Sequence, residues 1–305
     1  MLDVRRLRVL LAVAEHGGIA AAARALTFTP PAVSQHVAAL ERQLGVSLVD
    51  RTGRTARLTA TGHQLAMHAR HVLAALEAAE ADLANLAGHD RRGTLAVGTI
   101  PTLGRTLLPA TMTALQAIAP GVDLRIQQSE PEDSLPALVR GDLDVVLASE
   151  YSLTPRRSLA RTDRLDLFTE PLYVAVPPDQ NVHEPEVDLA ELREERWIAP
   201  AAGGSCETTL LRSCASAGYE PHIVAHCADF AVAAALVQTG FGIALLPNIA
   251  APRDDTVRLL DIRHPGVHRT LYAAIRRGTR EHPVLSDFLE ALTATVQQQD
   301  RWHHE

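Results

Sequence analysis

Apolar residues recur at Ile19, Ala22, Ala23 and Leu26, the spacing of one helix face, and resume after Thr27-Phe28-Thr29 at Val33, Val37, Leu40 and Leu44. The pattern predicts two short helices with a tight break between them. The break is chemically supported: the Thr29 hydroxyl caps the second helix, and Pro30 fits its first turn, where a missing N–H costs nothing. Two short strands over 47–50 and 56–59 flank a turn over 51–55, forming a hairpin. The segment 60–88 is rich in Ala and free of Pro. Its Leu65, Ala69, Val72, Leu76, Ala79, Leu83 and Leu86 follow a heptad seam, predicting a helix roughly 40 Å long. A polar hinge, His89-Asp90-Arg91-Arg92-Gly93, closes this part of the chain.

From there the pattern alternates short apolar strands with amphipathic helices. Strands are expected over 94–99, 122–128 and 143–148, with helices over 103–118 and 131–140. A second unit of the same kind follows. Its strands fall over 172–176, 197–199, 222–226 and 242–246, and its helices over 190–194, 206–217 and 230–238. A strand over 270–275 and a helix over 284–298 end the pattern. This is the signature of a parallel sheet with covering helices, arranged as two similar α/β lobes around a cleft. The apolar stretch 230–251 is broken by Gln238, Thr239, Gly240, Gly242 and Pro247, so it reads as helix, turn and buried strand, not a membrane span.

Charge sharpens the picture. The whole chain carries −7, but residues 1–58 hold eight Arg against four acidic residues, and the remainder holds 21 against 32. A basic head on an acidic body fits a DNA binder whose remainder does something else. The exposed end of the second helix offers Thr29, Pro30, Pro31, Ala32, Ser34, Gln35 and His36 to the major groove, and Arg51 and Arg54 on the hairpin suit phosphate contact. All 29 basic residues are Arg, a bias that base composition explains across the chain. No signal peptide precedes the charged start, and Cys206, Cys214 and Cys227 are too few for a disulfide framework, so the cytoplasm is the expected location.

The region 19–62 resembles the N-terminal winged helix-turn-helix of LysR-type transcriptional regulators. The residues that carry the likeness are Leu7, Ala12-Val13-Ala14-Glu15, Ala21-Ala22-Ala23-Arg24-Ala25-Leu26, Ala32-Val33-Ser34-Gln35-His36-Val37, Leu40-Glu41, Leu44-Gly45, Leu48-Val49-Asp50-Arg51 and Leu58-Thr59-Ala60-Thr61-Gly62. At Thr29-Pro30 the chain departs from the Ser-Gln pair common in that family. The resemblance implies a winged helix-turn-helix over 1–59, a dimerising linker helix over 60–88 and an effector-binding domain of periplasmic-binding-protein type over 89–305. Lobe I would span about 94–165 and 270–302, lobe II about 168–266, with crossings over 164–170 and 263–270.

In open α/β sheets, ligands sit beyond the carboxyl ends of strands, near helix N-termini. Thr99, Ile100, Pro101 and Thr102, then Ser149, and in the second lobe Ser205, Cys206 and Thr208 occupy such points. The resemblance adds Asp229 as a further cleft-side residue. No phosphate loop, dinucleotide fingerprint, nucleophile elbow or zinc motif appears, so no catalytic residue, metal or cofactor is assigned and the chain is not expected to be an enzyme. The expected partners are double-stranded promoter DNA carrying an interrupted palindrome, a second copy in a homodimer or homotetramer, and a small polar or anionic metabolite, with no membrane. Two rivals remain: a solute-binding protein, and a redox-sensing regulator using Cys206. Peroxide-sensing members of the family use a cysteine pair in this part of the chain, but Cys206 and Cys214 on one helix would lie roughly 10–12 Å apart, too far to bond without local unfolding.

Overall fold

The computed structural model describes residues 2–50, 56–86, 92–155, 161–179, 185–263 and 266–300. The chain forms two compact units, one of residues 1–92 together with 140–142, the other of residues 93–139 and 143–305.

The first unit comprises α1 (Val4–Glu15), α2 (Ile19–Ala25), α3 (Pro30–Leu44), β1 (Val49–Asp50), β2 (Arg57–Leu58) and α4 (Ala60–Leu86). Leu10, Val13, Ala22, Val33, Val37, Leu40 and Leu48 close a small core, so the apolar stripes of all three short helices face one another. Fully burying each Leu or Val is worth about 1.5–3 kcal/mol. Gly45 stops α3 in a left-handed conformation at φ 71°, one that other residues adopt at a cost. The Glu41 carboxylate on α3 accepts from the backbone N–H groups of Leu48 and Val49 at 2.8 and 3.1 Å, which fixes where the hairpin leaves the core. β1 and β2 pair antiparallel, Val49 with Leu58 and Asp50 with Arg57. Gly62 lies so close to the Leu48 carbonyl that a side chain there would collide with it.

The strands of the hairpin are shorter than expected, and its turn over 51–55, with Arg51 and Arg54, lies outside the described residues. The linker helix forms, but its inner stripe is displaced from the predicted seam. Gly62, Ala66, Ala69 and Leu73 are buried along it, and the helix contacts α1. Of the described seam residues, Ala69 is buried in that stripe and Leu65 packs against the same core, while Leu76 is half-buried and Val72 and Ala79 are exposed. The heptad therefore lies beside the intramolecular face, because the helix first serves its own core. The side chains of Leu83 and Leu86 lie outside the described set, as do residues 89–91 of the expected hinge. Arg92 already begins a strand.

The second unit runs β3 (Arg92–Thr99), α5 (Pro101–Thr106), α6 (Leu108–Ile118), β4 (Gly121–Gln128), α7 (Pro131–Arg140), β5 (Val145–Tyr151), β6 (Thr162–Val176) and β7 (Glu186–Val187). It continues with β8 (Arg196–Ala199), α8 (Ser205–Ser216), β9 (His222–His226), α9 (Phe230–Gln238), β10 (Ile243–Pro247), β11 (Arg258–Ile262), β12 (His268–Arg276) and α10 (Pro283–Asp300). The sheet order is β4-β3-β5-β12-β6-β10-β8-β9, with β11 pairing both β6 and β7. Where one helix was expected over 103–118 there are two, α5 and α6, broken at Leu107, with Pro109 in the first turn of α6. The segment expected as a helix over 190–194 is a 3-10 turn, Leu189–Leu192.

The sheet is mixed, not all-parallel. β12 runs antiparallel to both β5 and β6, and β10 runs antiparallel to β6. The long β6 explains this. Its Leu165, Leu167 and Phe168 pack on one core, around Val97, Leu147, Leu271 and Phe288, while its Leu172, Val174 and Val176 enter a second, around Trp197, Leu245 and Leu260. β12 makes the return passage, with Val267 just ahead of it in the second core and Leu271 in the first. The two passages are thus paired strands, and Glu170 on one faces Arg269 on the other in register. Among the described residues no helix is long and apolar enough to cross a membrane.

Candidate functional site: a helix end and an interlobe cleft

In the first unit, the N-terminal end of α3 is presented by its cap. Thr29 Oγ1 accepts from the Ala32 N–H at 3.4 Å, and Pro30 and Pro31 fill the first turn. Thr29, Pro30, Pro31 and Gln35 are exposed, and Ala32, Ser34 and His36 are half-buried, while Val33 and Val37 point into the core. A rigid helix end thus carries an amide and a hydroxyl outward. Phe28, 41% exposed, stacks on the His36 ring with centroids 6.0 Å apart and planes 21° from parallel. The sequence reading did not single out Phe28; an aromatic inside a polar break was the available signal.

In the second unit, a cleft of about 210 Å³ lies between the lobes. Ile100, Pro101, Thr102 and Ser149 line it from one lobe, Ser205 and Cys206 from the other. Ser205 Oγ donates to Glu132 Oε1 at 3.2 Å, joining α8 to α7 across the cleft. Thr99 and Asp229 line instead a neighbouring hollow of about 390 Å³, which shares Pro101 and Thr102 with the cleft and is otherwise bounded by residues such as Arg105, Met112 and Gln128. Asp229 also caps α9, accepting from the Ala231 N–H at 2.8 Å. Thr208 lines neither cavity; its hydroxyl donates to the Gly204 carbonyl.

The sequence reading missed the group at the cleft floor. Arg269 and Glu170 are 1% and 4% exposed, with Arg269 Nε donating to Glu170 Oε1 at 2.8 Å. Glu170 Oε2 accepts from the Ile249 N–H at 2.6 Å, and Arg269 Nη1 donates to the Tyr151 hydroxyl at 3.4 Å. Arg269 Nη2 is buried with no acceptor. Phe230 lies under the guanidinium, its ring centroid 5.7 Å from Cζ. Burial opposes the charge on Arg269, but Tyr151 and Glu170 raise its pKa above the ordinary value. Burial pushes the Cys206 thiol up to about 11, with Tyr151 and Arg269 pulling it down and Glu130 pushing it further up. Glu130, Glu132, Tyr151 and Phe230 all line the cleft. Charged residues inside apolar strands, Glu170 before Leu172-Tyr173-Val174 and Arg269 before Leu271-Tyr272, were the only trace of the pair in the sequence.

Residues 4–63 match the bacterial regulatory helix-turn-helix of the lysR family, and residues 88–297 match the LysR substrate binding domain. The chain belongs to the LysR family of transcriptional regulators. Among its relatives, GltC of Bacillus subtilis, a transcriptional dual regulator, is 28% identical over 294 residues, covering 95% of this chain and 96% of the relative. The hydrogen peroxide-inducible genes activator of Escherichia coli O6:H1 is 29% identical over 300 residues, covering 97% and 96%. The fold is that of full-length OxyR from Pseudomonas aeruginosa, with a TM-score of 0.75 over 97% of this chain and 95% of that one at 23% identity. In this regulator, then, the helix-turn-helix match coincides with the outward-facing end of α3, and the substrate-binding-domain match spans the whole cleft.

Proposed function

We propose that this LysR-family regulator reads promoter DNA through residues 1–59 and answers to a small polar or anionic effector held by residues 89–305. Residues 60–88 would join copies into a homodimer or homotetramer, in the cytoplasm. The observation that carries the reading is the pairing, in one chain, of an outward-facing α3 end with a polar interlobe cleft. Gln35 and Ser34 are assigned to base edges, Thr29 to His36 more widely to the groove, and Arg51 and Arg54 to phosphates. Ile100, Pro101, Thr102, Ser149, Ser205 and Cys206, which line the cleft, are assigned to the effector; Thr99 and Asp229 line the adjoining hollow, and Thr208 lines neither, its hydroxyl donating to the Gly204 carbonyl. Paired heads on a linker helix match an interrupted palindrome, and cleft closure would change how the heads are held. No catalytic role is assigned to any residue.

The test is selection of an operator from random-sequence DNA by the full-length protein, followed by titration at two salt concentrations. Sequence-selective, salt-sensitive binding by a dimer or larger assembly is expected. Binding that does not distinguish the selected operator from random DNA would refute the regulator reading. Leu76→Asp, on the partly exposed seam, is expected to give monomers that bind half-sites weakly, because it would set like charges across a dry interface.

A second reading, redox sensing by Cys206, draws support from the likeness to peroxide-inducible activators and from the place of Cys206 in the cleft. Against it stand the raised thiol pKa and the position of Cys214, fully buried in the second core. Operator affinity that changes with hydrogen peroxide in the wild type and not in Cys206→Ser would decide for it.

A further inference from the structure

The outward-facing end of α3 is apolar for a surface that meets DNA. From Thr27 to His36 the chain has no Arg, Lys, Asp or Glu, and Pro30 stands where the resembled family often carries an amide. Hydrogen bonding to base edges there falls to Ser34, Gln35 and His36, and the rest of the end offers carbon. Phe28 stands immediately ahead of the Thr29 cap. A hydrophobic residue in that place often turns inward onto the first turns of its helix. Phe28 instead is 41% exposed, and it is held there. Thr27 adopts a left-handed φ of 54°, which a β-branched residue takes up only at a cost, and the Phe28 N–H donates to the Ala23 carbonyl at 2.8 Å. The ring then stacks on that of His36. A strained turn, a backbone hydrogen bond and a ring contact together fix a large apolar group in water beside Thr29, Pro30 and Pro31, all exposed.

Resting on the DNA-reading assignment above, we infer that Phe28 is a base-reading residue, its ring packing on the C5-methyl group of a thymine in each operator half-site. A phenyl ring neither donates nor accepts an ordinary hydrogen bond. Among the groups that base edges show in the major groove, the thymine methyl is the one it recognises, and cytosine has none. The place of the ring fits: in helix-turn-helix proteins the N-terminal residues of the second helix meet base edges, and Phe28 adjoins that end of α3. Its order fits as well. A ring already stacked on His36 loses little freedom when it docks, so the contact is pre-organised. Thymine is thus read by carbon at the end of a helix that lacks the family's usual amide.

The test uses the full-length protein and the operator selected from random-sequence DNA. Each thymine of one half-site is replaced singly by uracil, which removes the methyl group and leaves every hydrogen-bonding atom in place. At one position the wild type is expected to lose about fourfold in affinity, the worth of one buried methyl. Phe28→Ala should bind the thymine operator at least about fourfold more weakly and no longer distinguish thymine from uracil at that position. Phe28→Leu, still apolar, should retain part of the discrimination, and His36→Ala, which removes the ring that Phe28 leans on, should reduce it. Melting temperatures of the Phe28 variants should match wild type. If no uracil substitution weakens the wild type, or if the uracil effect is as large in Phe28→Ala, the inference is wrong and the regulator reading stands. A Phe28→Ala variant that melts earlier and loses the thymine and uracil operators equally would make the ring a prop for the turn and would likewise overturn it. Failure to select any operator refutes the reading beneath as well.

Discussion

The residues assigned to recognition in the first unit stand outside its core: Thr29, Pro30, Pro31 and Gln35 are exposed on a helix whose inner face is Val33, Val37 and Leu40. Those at the floor of the second unit's cleft are inside it, Arg269 at 1% and Glu170 at 4% exposure, between the two strands that join the lobes. An exposed contact costs folding almost nothing, so it can change while the fold stays. A buried ion pair must be complete for the fold as well as for the ligand. In the first unit stability and recognition are therefore separable, and in the second they are coupled.

The strongest challenge to that contrast is Glu170→Ala. It leaves the Arg269 guanidinium buried with Tyr151 as its remaining hydrogen-bond partner, and a loss of about 3–5 kcal/mol is expected. Denaturation followed by the fluorescence of Trp197, at the centre of the second core, measures it. A variant as stable as wild type would show that the pair is dispensable to folding. Next comes Gly62→Ala, where the new methyl meets the Leu48 carbonyl and the first unit should lose about 1–3 kcal/mol. Differential calorimetry should place that loss in the first unit's transition alone.

Gln35→Ala should separate the two properties: operator affinity falls by about 1–3 kcal/mol and sequence preference relaxes. Its melting temperature should match wild type; a joint fall would mean that Gln35 is structural. Thr29→Ala removes a long, 3.4 Å cap and should cost only about 0.5–1 kcal/mol of stability, checked by urea titration. A last effect concerns pH and appears only in alkaline solution. The Cys206 thiol titrates at about 11 in the fold against an ordinary 9.0, so the unfolded chain ionises first as pH rises. The stability it contributes is full below pH 9.0 and is lost between there and about 11. Cys206→Ser should flatten that part of the stability profile, and alkylation of Cys206 should still be accelerating above pH 9.0.

The same contrast governs what could be read in advance. Helix α3 was legible because everything that makes it is local: Thr29 at the cap, Pro30 in the first turn, Gly45 at the stop and apolar residues at helical spacing between them. The strand β9 and helix α9 were placed over 222–226 and 230–238 for the same reason, a short apolar run and an apolar run ended near Gly240. By itself the sequence also determined the family, the basic head on an acidic body, and most of the strand ends and helix starts that border the cleft. The antiparallel reach of β6 was not legible, because Arg164, Asp166 and Glu170 interrupt its apolar pattern: Arg164 pairs with Asp166 along the strand and with Glu150 on β5, and Glu170 finds Arg269 and the Ile249 N–H from elsewhere in the chain. Which stripe of α4 turns inward was decided by α1, fifty or more residues earlier in the chain. The cleft floor was decided by tertiary structure alone. Arg269 and Glu170 are 99 residues apart, and neither side chain reveals its partner until both strands are paired in register. A buried charge is tolerable only where the fold brings its counter-charge within hydrogen-bonding reach, and no local pattern records that distance.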